Sequence, residues 1–498
     1  QALLGPTEPT EALESLVLRW ARAHGPFSAA RVEERFGLSP GELVPLLQRL
    51  ERAGKLTSGA FLPGGAGLEY CEVDNLRRIR VRALARLRKE VAPVEPRVFA
   101  VFLARWQGLV APRRGLDALR VALEQLEGQP LPLSELEGAI LPARVADYAP
   151  RMLDELGMTG EVVWIGAGAL GASDGRVVLL PRAHAARLGA LSPAAYAPPT
   201  PQHAAVIACL EQRGACFLAE LDARVGNAPE RLVSVLLDLA WAGVVTNDTL
   251  QPLRVLPSWN KKGRGTMPPA KTSLGGRWAL TRSLGDPLSD TAVALARSHA
   301  LLQRYGVVSA PMAHAAGFAG GFAAVYPVLR SLEDVGKVRR GSFVADLDGA
   351  QFATPVAIEV LRAVRPDDAE ALVLSVLDPA NPWGSLFAWP PTARPGAPEP
   401  RRVAGAQLIV VGGKPCVYVD PSGKNLATFA DLAEVERERA FQALPRVAER
   451  LRGPAHWSVE RVDGEPALRE PYAGWLQAVG FALTWRGLAM DAPLRSAR

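Results

Sequence analysis

Residues Val325–Val344 read VYPVLRSLEDVGKVRRGSFV. Val325, Val328, Leu329 and Leu332 recur at helical spacing and share one face. Gly336 stops that helix, after which Val338, an Arg339-Arg340-Gly341 tip and Phe343-Val344 read as a small hairpin. A helix that ends on glycine and feeds a hairpin is the exit of a winged helix-turn-helix. The same order recurs at Leu50 to Gly54-Lys55-Leu56, at Leu156 to Gly160-Glu161-Val162 and at Leu239 to Gly243-Val244-Val245. These glycines stand roughly 80 to 110 residues apart, the spacing of small domains in series rather than of a solenoid.

Working outward, the expected fold class is α+β: tandem winged-helix modules, then a small β-barrel and a mixed α/β C-terminal segment. The first module, with a basic helix after it, covers residues 1–95. There, Ser39 caps a third helix that has Pro40 at its first position. A second module covers 96–191 and a third 192–256. A basic flexible linker, 257–288, precedes a fourth module at 289–366. Strands rich in Val, Leu and Ile, punctuated by Asn381-Pro382, Pro390-Pro391 and Gly412-Gly413, predict a barrel over 367–430. Residues 431–498 read as an α/β segment completing it.

The 498 residues are long enough for several cores, and 48% apolar with 22% charged content is ordinary for a globular chain. No apolar run approaches the ~18 residues of a membrane span, and no basic-then-apolar leader opens the sequence. The expectation is a cytoplasmic protein with no membrane association. Cys71, Cys209, Cys216 and Cys416 are dispersed without a CxxC pair, which predicts free thiols and no metal site. His184 and His203 lack an acid or cysteine at ligand spacing and read as surface residues. The Gly166–Gly171 run, GAGALG, superficially fits a dinucleotide-binding turn, but it leads into a second strand instead of a helix, and so reads as a hairpin loop.

The net charge of +6, with a pI near 9.3, matters through its placement. Asp74–Val91 carries Arg77, Arg78, Arg80, Arg82 and Arg86 around a Leu76/Ile79/Ala83/Leu87 stripe, which suits either a solvated brace or a row of phosphate contacts. Leu256–Gly285 holds Lys261, Lys262, Arg264, Lys271, Arg277 and Arg282 and no acidic residue. With Trp259 and Trp278, this arm matches a nucleic-acid strand, because cations neutralise phosphates and aromatics stack on bases. Arg339 and Arg340 are the wing candidates. Asp463 and Asp491 qualify as catalytic candidates by residue type alone.

Several stretches resemble the C-terminal part of the large helicase-related (Lhr) family of superfamily 2 DNA helicases. They are LRRIRVRALARLRKEV (76–91), RWQGL (105–109), LPARVADY (141–148), GEVVWIGAGALG (160–171), WAGVVTNDT (241–249), GGRWAL (275–280), GGFAAVYPVLRSLEDVGKVRRGSFV (320–344), QFATP (351–355), DPANPWG (378–384) and ERVDGEP (460–466). The resemblance implies a DNA-binding, DNA-repair region downstream of a helicase core. It also implies the N-terminal core of the same polypeptide as a partner and a homotetrameric assembly. ATP and Mg are implied only for the parent helicase, since no G-x-x-x-x-G-K-[ST] occurs in this chain, and no cofactor is expected here. The arrangement is similar also to AlkZ-like DNA glycosylases. Those use a Gln-x-Gln or Gln-x-Asp motif, which this sequence lacks: Gln107 is followed by Gly-Leu. A damaged-base or uracil glycosylase and a purely structural interaction scaffold are the two alternative functions.

Overall fold

The computed structural model describes residues 9–62, 67–89, 92–171, 174–185, 196–225, 229–254, 275–286, 288–368, 370–450, 456–484 and 487–491. The chain divides into two compact units, Gln1–Ala92 and Pro93–Arg498.

The first unit is a winged helix. Helix Pro9–Ala23 leads to strand β1 (Phe27–Ser28), helices Ala29–Phe36 and Pro40–Arg52, strands β2 (Leu56–Gly59) and β3 (Glu69–Glu72), and helix Val73–Lys89. The sheet is antiparallel in the order β1-β3-β2. Its third helix starts on a capping box, with Glu42 Oε2 accepting from Ser39 N at 3.1 Å and Ser39 Oγ at 2.7 Å. Those bonds favour the charged carboxylate and hold Glu42 below its ordinary pKa. Val17, Val32, Leu43, Leu47, Leu50 and Leu56 close the core.

The second unit repeats that plan three times after a buried helix, Pro96–Trp106. The second module has helix Gly115–Leu126, β4 (Leu131–Pro132), a short helix Leu133–Glu135 that runs into a π-turn Leu136–Ile140, helix Pro150–Met158, and the hairpin β5 (Val162–Leu170) and β6 (Asp174–Pro181). The third has Pro201–Arg213, β7 (Cys216–Phe217), Leu218–Val225, Pro229–Trp241, β8 (Val245–Asn247) and β9 (Arg277–Leu280). The fourth has Asp290–Tyr305, β10 (Val307–Val308), Ala310–Ala315, Gly321–Asp334, β11 (Arg339–Gly341) and β12 (Gln351–Ala353), followed by helix Pro355–Ala363. All three sheets keep the order of the first, the last strand lying between the other two. Gly54, Gly160, Gly243 and Gly336, the four glycines that organise the sequence, all take positive φ, from 65° to 78°. That conformation ends each third helix and costs glycine little.

Two expectations need correction here. β9 pairs with both β7 and β8, so the third winged helix runs to Leu280, and the expected linker 257–288 is not a separate connector. Residues 255–274 fall between its two wing strands in sequence and lie outside the described residues. Likewise, Arg339-Arg340-Gly341 is strand and not tip. The turn that follows carries exposed Asp346 and Asp348, and Gln351 pins it by bonding Phe343 N, Val344 N, Val344 O and Leu347 O.

The expected barrel is an open sheet. Strands β13 (Leu372–Ser375), β14 (Gln407–Val411), β15 (Lys414–Val419) and β16 (Asn425–Thr428) precede β17 (His456–Val459), β18 (Arg461–Val462), β19 (Glu465–Pro466), β20 (Ala482–Thr484) and β21 (Gly487–Asp491). Six of them order as β13-β14-β15-β16-β18-β19, and β17-β21-β20 form a separate sheet. The outer strands β13 and β19 do not pair with each other. Closure is unnecessary because both faces are already covered. Val373, Ile409, Val417 and Leu426 face a core that includes Phe441, Leu444 and Leu476 from the C-terminal helices. Their neighbours Leu374, Leu408, Tyr418 and Ala427 face another that includes Ala104 and Leu109.

Candidate nucleic-acid interface

The basic helix Val73–Lys89 is clamped at its root. Glu72 Oε2 accepts from Asn75 N at 2.8 Å, and Asn75 Nδ2 donates to Ala21 O, Arg22 O and His24 O at the end of the first helix. Beyond that root, Arg77, Arg78, Ile79, Arg80, Val81, Arg82 and Ala83 are all exposed. Among the described residues no carboxylate pairs with Arg77, Arg78, Arg80 or Arg82, so four positive charges project within one short stretch. Arg86 continues the helix, with its side chain outside the described residues.

The other candidates divide. Arg339 is exposed and pairs with no described carboxylate. Its neighbour Arg340 is partly spent, bonding Tyr326 Oη at 3.3 Å and lying 3.9 Å from Glu333. Arg277 donates its backbone N and its Nε to Asp248 at 2.8 and 3.0 Å. Arg282, from the same acid-free arm, pairs with Glu211. Trp259, Lys261, Lys262, Arg264 and Lys271 lie outside the described residues. Trp106 stacks on Phe102 and donates Nε1 to Gln303 O, a packing role.

The second and third modules pack on each other through the second module's wing, while Arg151, Glu155 and Met158 on the one third helix and Ser234 and Asp238 on the other stay exposed. The second module's wing strand Val162–Leu170 packs on the third module's third helix, and across the same hairpin a Cβ at Gly175 would run into the Trp241 ring. Arg254 reaches back to hold Glu137 and Asp154, with Nη2–Oε1 at 2.7 Å and Nη1–Oδ2 at 2.6 Å. Asp154 itself sits on the second module's third helix and also accepts from Leu250 N. Burial and the adjacent Glu137 carboxylate raise the Tyr148 phenol, whose hydroxyl donates to Glu137. One hydrophobic core accordingly runs from Ala118 to Leu280 through both modules. On the fourth module, the third helix keeps Ala323, Pro327, Arg330 and Asp334 exposed. Arg330 is a cation that the sequence pattern alone did not single out, although its 3- and 4-residue spacing from Pro327 and Asp334 marks the outer face.

The catalytic candidates separate from one another. Asp463 is buried at a φ of 52°, and its two oxygens accept from Thr428 N at 2.6 Å and Thr428 Oγ1 at 2.8 Å. That carboxylate is committed to holding β16. Asp491 ends β21 opposite His456, with its side chain outside the described residues. The two histidines are not simple surface residues. His203 is buried against Thr200, and His184 lies 2.9 Å from Glu127.

Residues 94–182 and 287–373 match two winged-helix domain families of the large helicase-related protein, described as its third and fourth. The chain belongs to the Lhr family. A Mycolicibacterium smegmatis Lhr helicase and probable uracil glycosylase is 35% identical over 97% of the chain, and the Escherichia coli Lhr helicase/uracil glycosylase is 31% identical over 96%. The chain spans 34% and 33% of the length of these relatives. The Streptomyces sahachiroi DNA glycosylase AlkZ aligns at TM-score 0.45 and 16% identity, covering 74% of this chain and all of that one. No helix among the described residues is long and apolar enough to cross a membrane.

Three of the Lhr-like stretches meet at one buried point. Arg144, from LPARVADY, donates to Gln107 of RWQGL at 2.5 Å and to Asp378 of DPANPWG at 2.8 and 2.9 Å. Gln107 Nε2 then donates to Arg304 O at 3.0 Å, tying in the fourth module. Arg304 is itself fully buried, satisfied by Gln125 O, Glu127 O and Gln129 Oε1, and desolvation pushes its guanidinium below the usual value. The cluster joins modules 2 and 4 to the sheet and presents nothing to solvent.

Proposed function

We propose that this chain is the DNA-engaging C-terminal region of an Lhr-type repair helicase. The observation that carries this reading is the uncompensated row Arg77, Arg78, Arg80 and Arg82 on the exposed helix Val73–Lys89. Arg330 and Arg339 on the fourth module give a second contact, with its third helix free to enter a groove. Modules 2 and 3 act as the rigid support, since one hydrophobic core runs through both. The test is a salt titration of DNA binding by fluorescence anisotropy. Each phosphate neutralised contributes roughly 0.7 to 0.9 to the log–log slope. A slope near zero removes the reading.

A second reading, uracil excision, is favoured by the names of the two relatives and by one feature of the fold. A cavity of about 230 Å³ lies between helix Pro96–Trp106 and β13, walled by Ala104, Leu374, Pro382 and Trp383. An apolar hollow with an aromatic wall suits a base flipped from its stack. Incubation with a uracil-containing oligonucleotide should then leave alkali-labile abasic sites. Intact strands after prolonged incubation count against excision.

A further inference from the structure

A second hollow, of about 430 Å³, opens where the second and third modules join. Its walls bring together Arg182 from the end of β6, Arg277 from β9 and Asn247 from β8. Arg277 is held from behind: Asp248 takes its backbone N and its Nε, and neither Nη group has a partner among the described residues. Arg182 is exposed and pairs with no described carboxylate. Asn247 is 3% exposed, its Oδ1 is engaged by Thr249 N and Oγ1, and its buried Nδ2 has no hydrogen-bond partner among the described residues. That nitrogen has essentially no accessible surface, so it lies behind the wall of the hollow and not on it.

The nearby acids are already committed. Asp248 is engaged by Arg277, and Glu161 is held by Arg120 at 2.7 Å. The helix Pro150–Met158 that ends at this hollow has its last carbonyls capped, Leu156 O by Glu161 N and Gly157 O by Gly160 N. Asp248 is itself part of the wall, so two guanidinium groups against that one carboxylate leave the hollow net positive, the excess charge being that of Arg182.

We infer that this hollow is a phosphate-ester site, with Arg182 and Arg277 as its charged donors. Planar guanidinium groups oriented by a carboxylate behind them suit a tetrahedral oxyanion. The site shares no residue with the basic helix or the fourth module, so it goes beyond the DNA contacts described above. Its phosphate can come from a free nucleotide or from the backbone of a strand led into the junction.

The test uses the full chain, with thymidine 5′-monophosphate, thymidine and a short single-stranded oligonucleotide titrated separately at fixed salt. The monophosphate should bind where the nucleoside does not, and Arg182→Ala should weaken it about tenfold, the loss of one charge-assisted hydrogen bond. Arg277→Lys keeps the charge but not the fork and should weaken it as well. If only the oligonucleotide binds, and Arg182→Ala weakens that binding, the phosphate is a backbone phosphate and the site still holds. Unchanged affinity for both ligands in both variants, with unchanged melting temperatures, overturns it. Replacing Arg77, Arg78, Arg80 and Arg82 by Ala must leave the monophosphate affinity intact, so failure of the helix contact and failure of this site are read separately.

Discussion

Gly166 on the second module's wing lies directly against the carbonyl of Ala240 on the third module's third helix, and a Cβ there would overlap the oxygen. The junction is further tied by Thr246 Oγ1 donating to Trp164 O at 2.6 Å and Trp164 Nε1 donating to Thr249 O at 3.0 Å. Backbone packed on backbone leaves no flexible side chain to yield. Gly166→Ala should therefore destabilise the second unit by about 1–3 kcal/mol, as overpacking does. Chemical denaturation monitored by tryptophan fluorescence checks this; an unchanged midpoint means the two modules are not pressed together.

The Arg144–Asp378 pair has both side chains 1% exposed. Removing one partner strands a buried charge, so Asp378→Ala should cost about 3–5 kcal/mol. Replacing both by apolar residues of similar volume should cost less, although Gln107 then loses a partner. A double-mutant cycle by urea denaturation measures the difference, and additive losses would argue against direct coupling.

The winged helices were legible because their information is local. A helical stripe, a glycine that must take positive φ and a strand beginning within three residues fit in one short window, as at Leu329, Gly336 and Arg339. β9 was not, because its pairing with β7 and β8 spans the long stretch after Asn247 and local composition there says only that regular structure is disfavoured. The pattern of apolar runs and turn residues marked β13, β14 and β15 as strands, though not β16. It could not distinguish a barrel from an open sheet sandwiched between two cores, since both bury Ile409 and Val410 on opposite faces. Arg277 and Arg340 were chosen for charge, yet the carboxylates that engage them, Asp248 and Glu333, come from an adjacent turn and helix. The Arg144 cluster draws on segments far apart in the chain, and only a family likeness marked its three stretches.

If the basic helix lies along DNA, replacing Arg77, Arg78, Arg80 and Arg82 by Ala should lower the salt slope by about 3, at ~0.7–0.9 for each phosphate no longer neutralised. Arg340→Ala should change it little, because Glu333 and Tyr326 already engage that group. Anisotropy titrations across a range of salt concentrations decide; equal losses in the two variants would point to a diffuse charge effect rather than to a row of specific phosphate partners.

Burial pushes the Cys416 thiol up to about 12 from its ordinary 9.0. The unfolded chain therefore gives up this proton first as pH rises, so stability is fully present below pH ~9 and is lost as pH climbs through about 12. Cys416→Ala should show a shallower loss of stability between those limits than the parent chain does. Native alkylation at mildly basic pH should label the partly exposed Cys209 well before Cys416. Early labelling of Cys416 would show that its sheet face opens.

The outer edge of β13 would be a template for another strand if its carbonyls were bare. They are covered instead: Arg446 Nη2 donates to Ala371 O at 2.6 Å and Arg450 Nη1 to Val373 O at 2.5 Å. Arg450 is buried enough that desolvation lowers its guanidinium below the usual value, yet it keeps this contact. Two long cations on one edge both satisfy the acceptors and repel an approaching copy of the same edge. Replacing both arginines by Ala should leave the sheet core intact, since Val373 and Ile409 still pack below it, while exposing two unpaired acceptors. The expected result is concentration-dependent association in analytical ultracentrifugation with native-like circular dichroism. A double variant that sediments as the parent does would show that the adjoining helix Leu444–Ala448, and not the two charges, shields this edge.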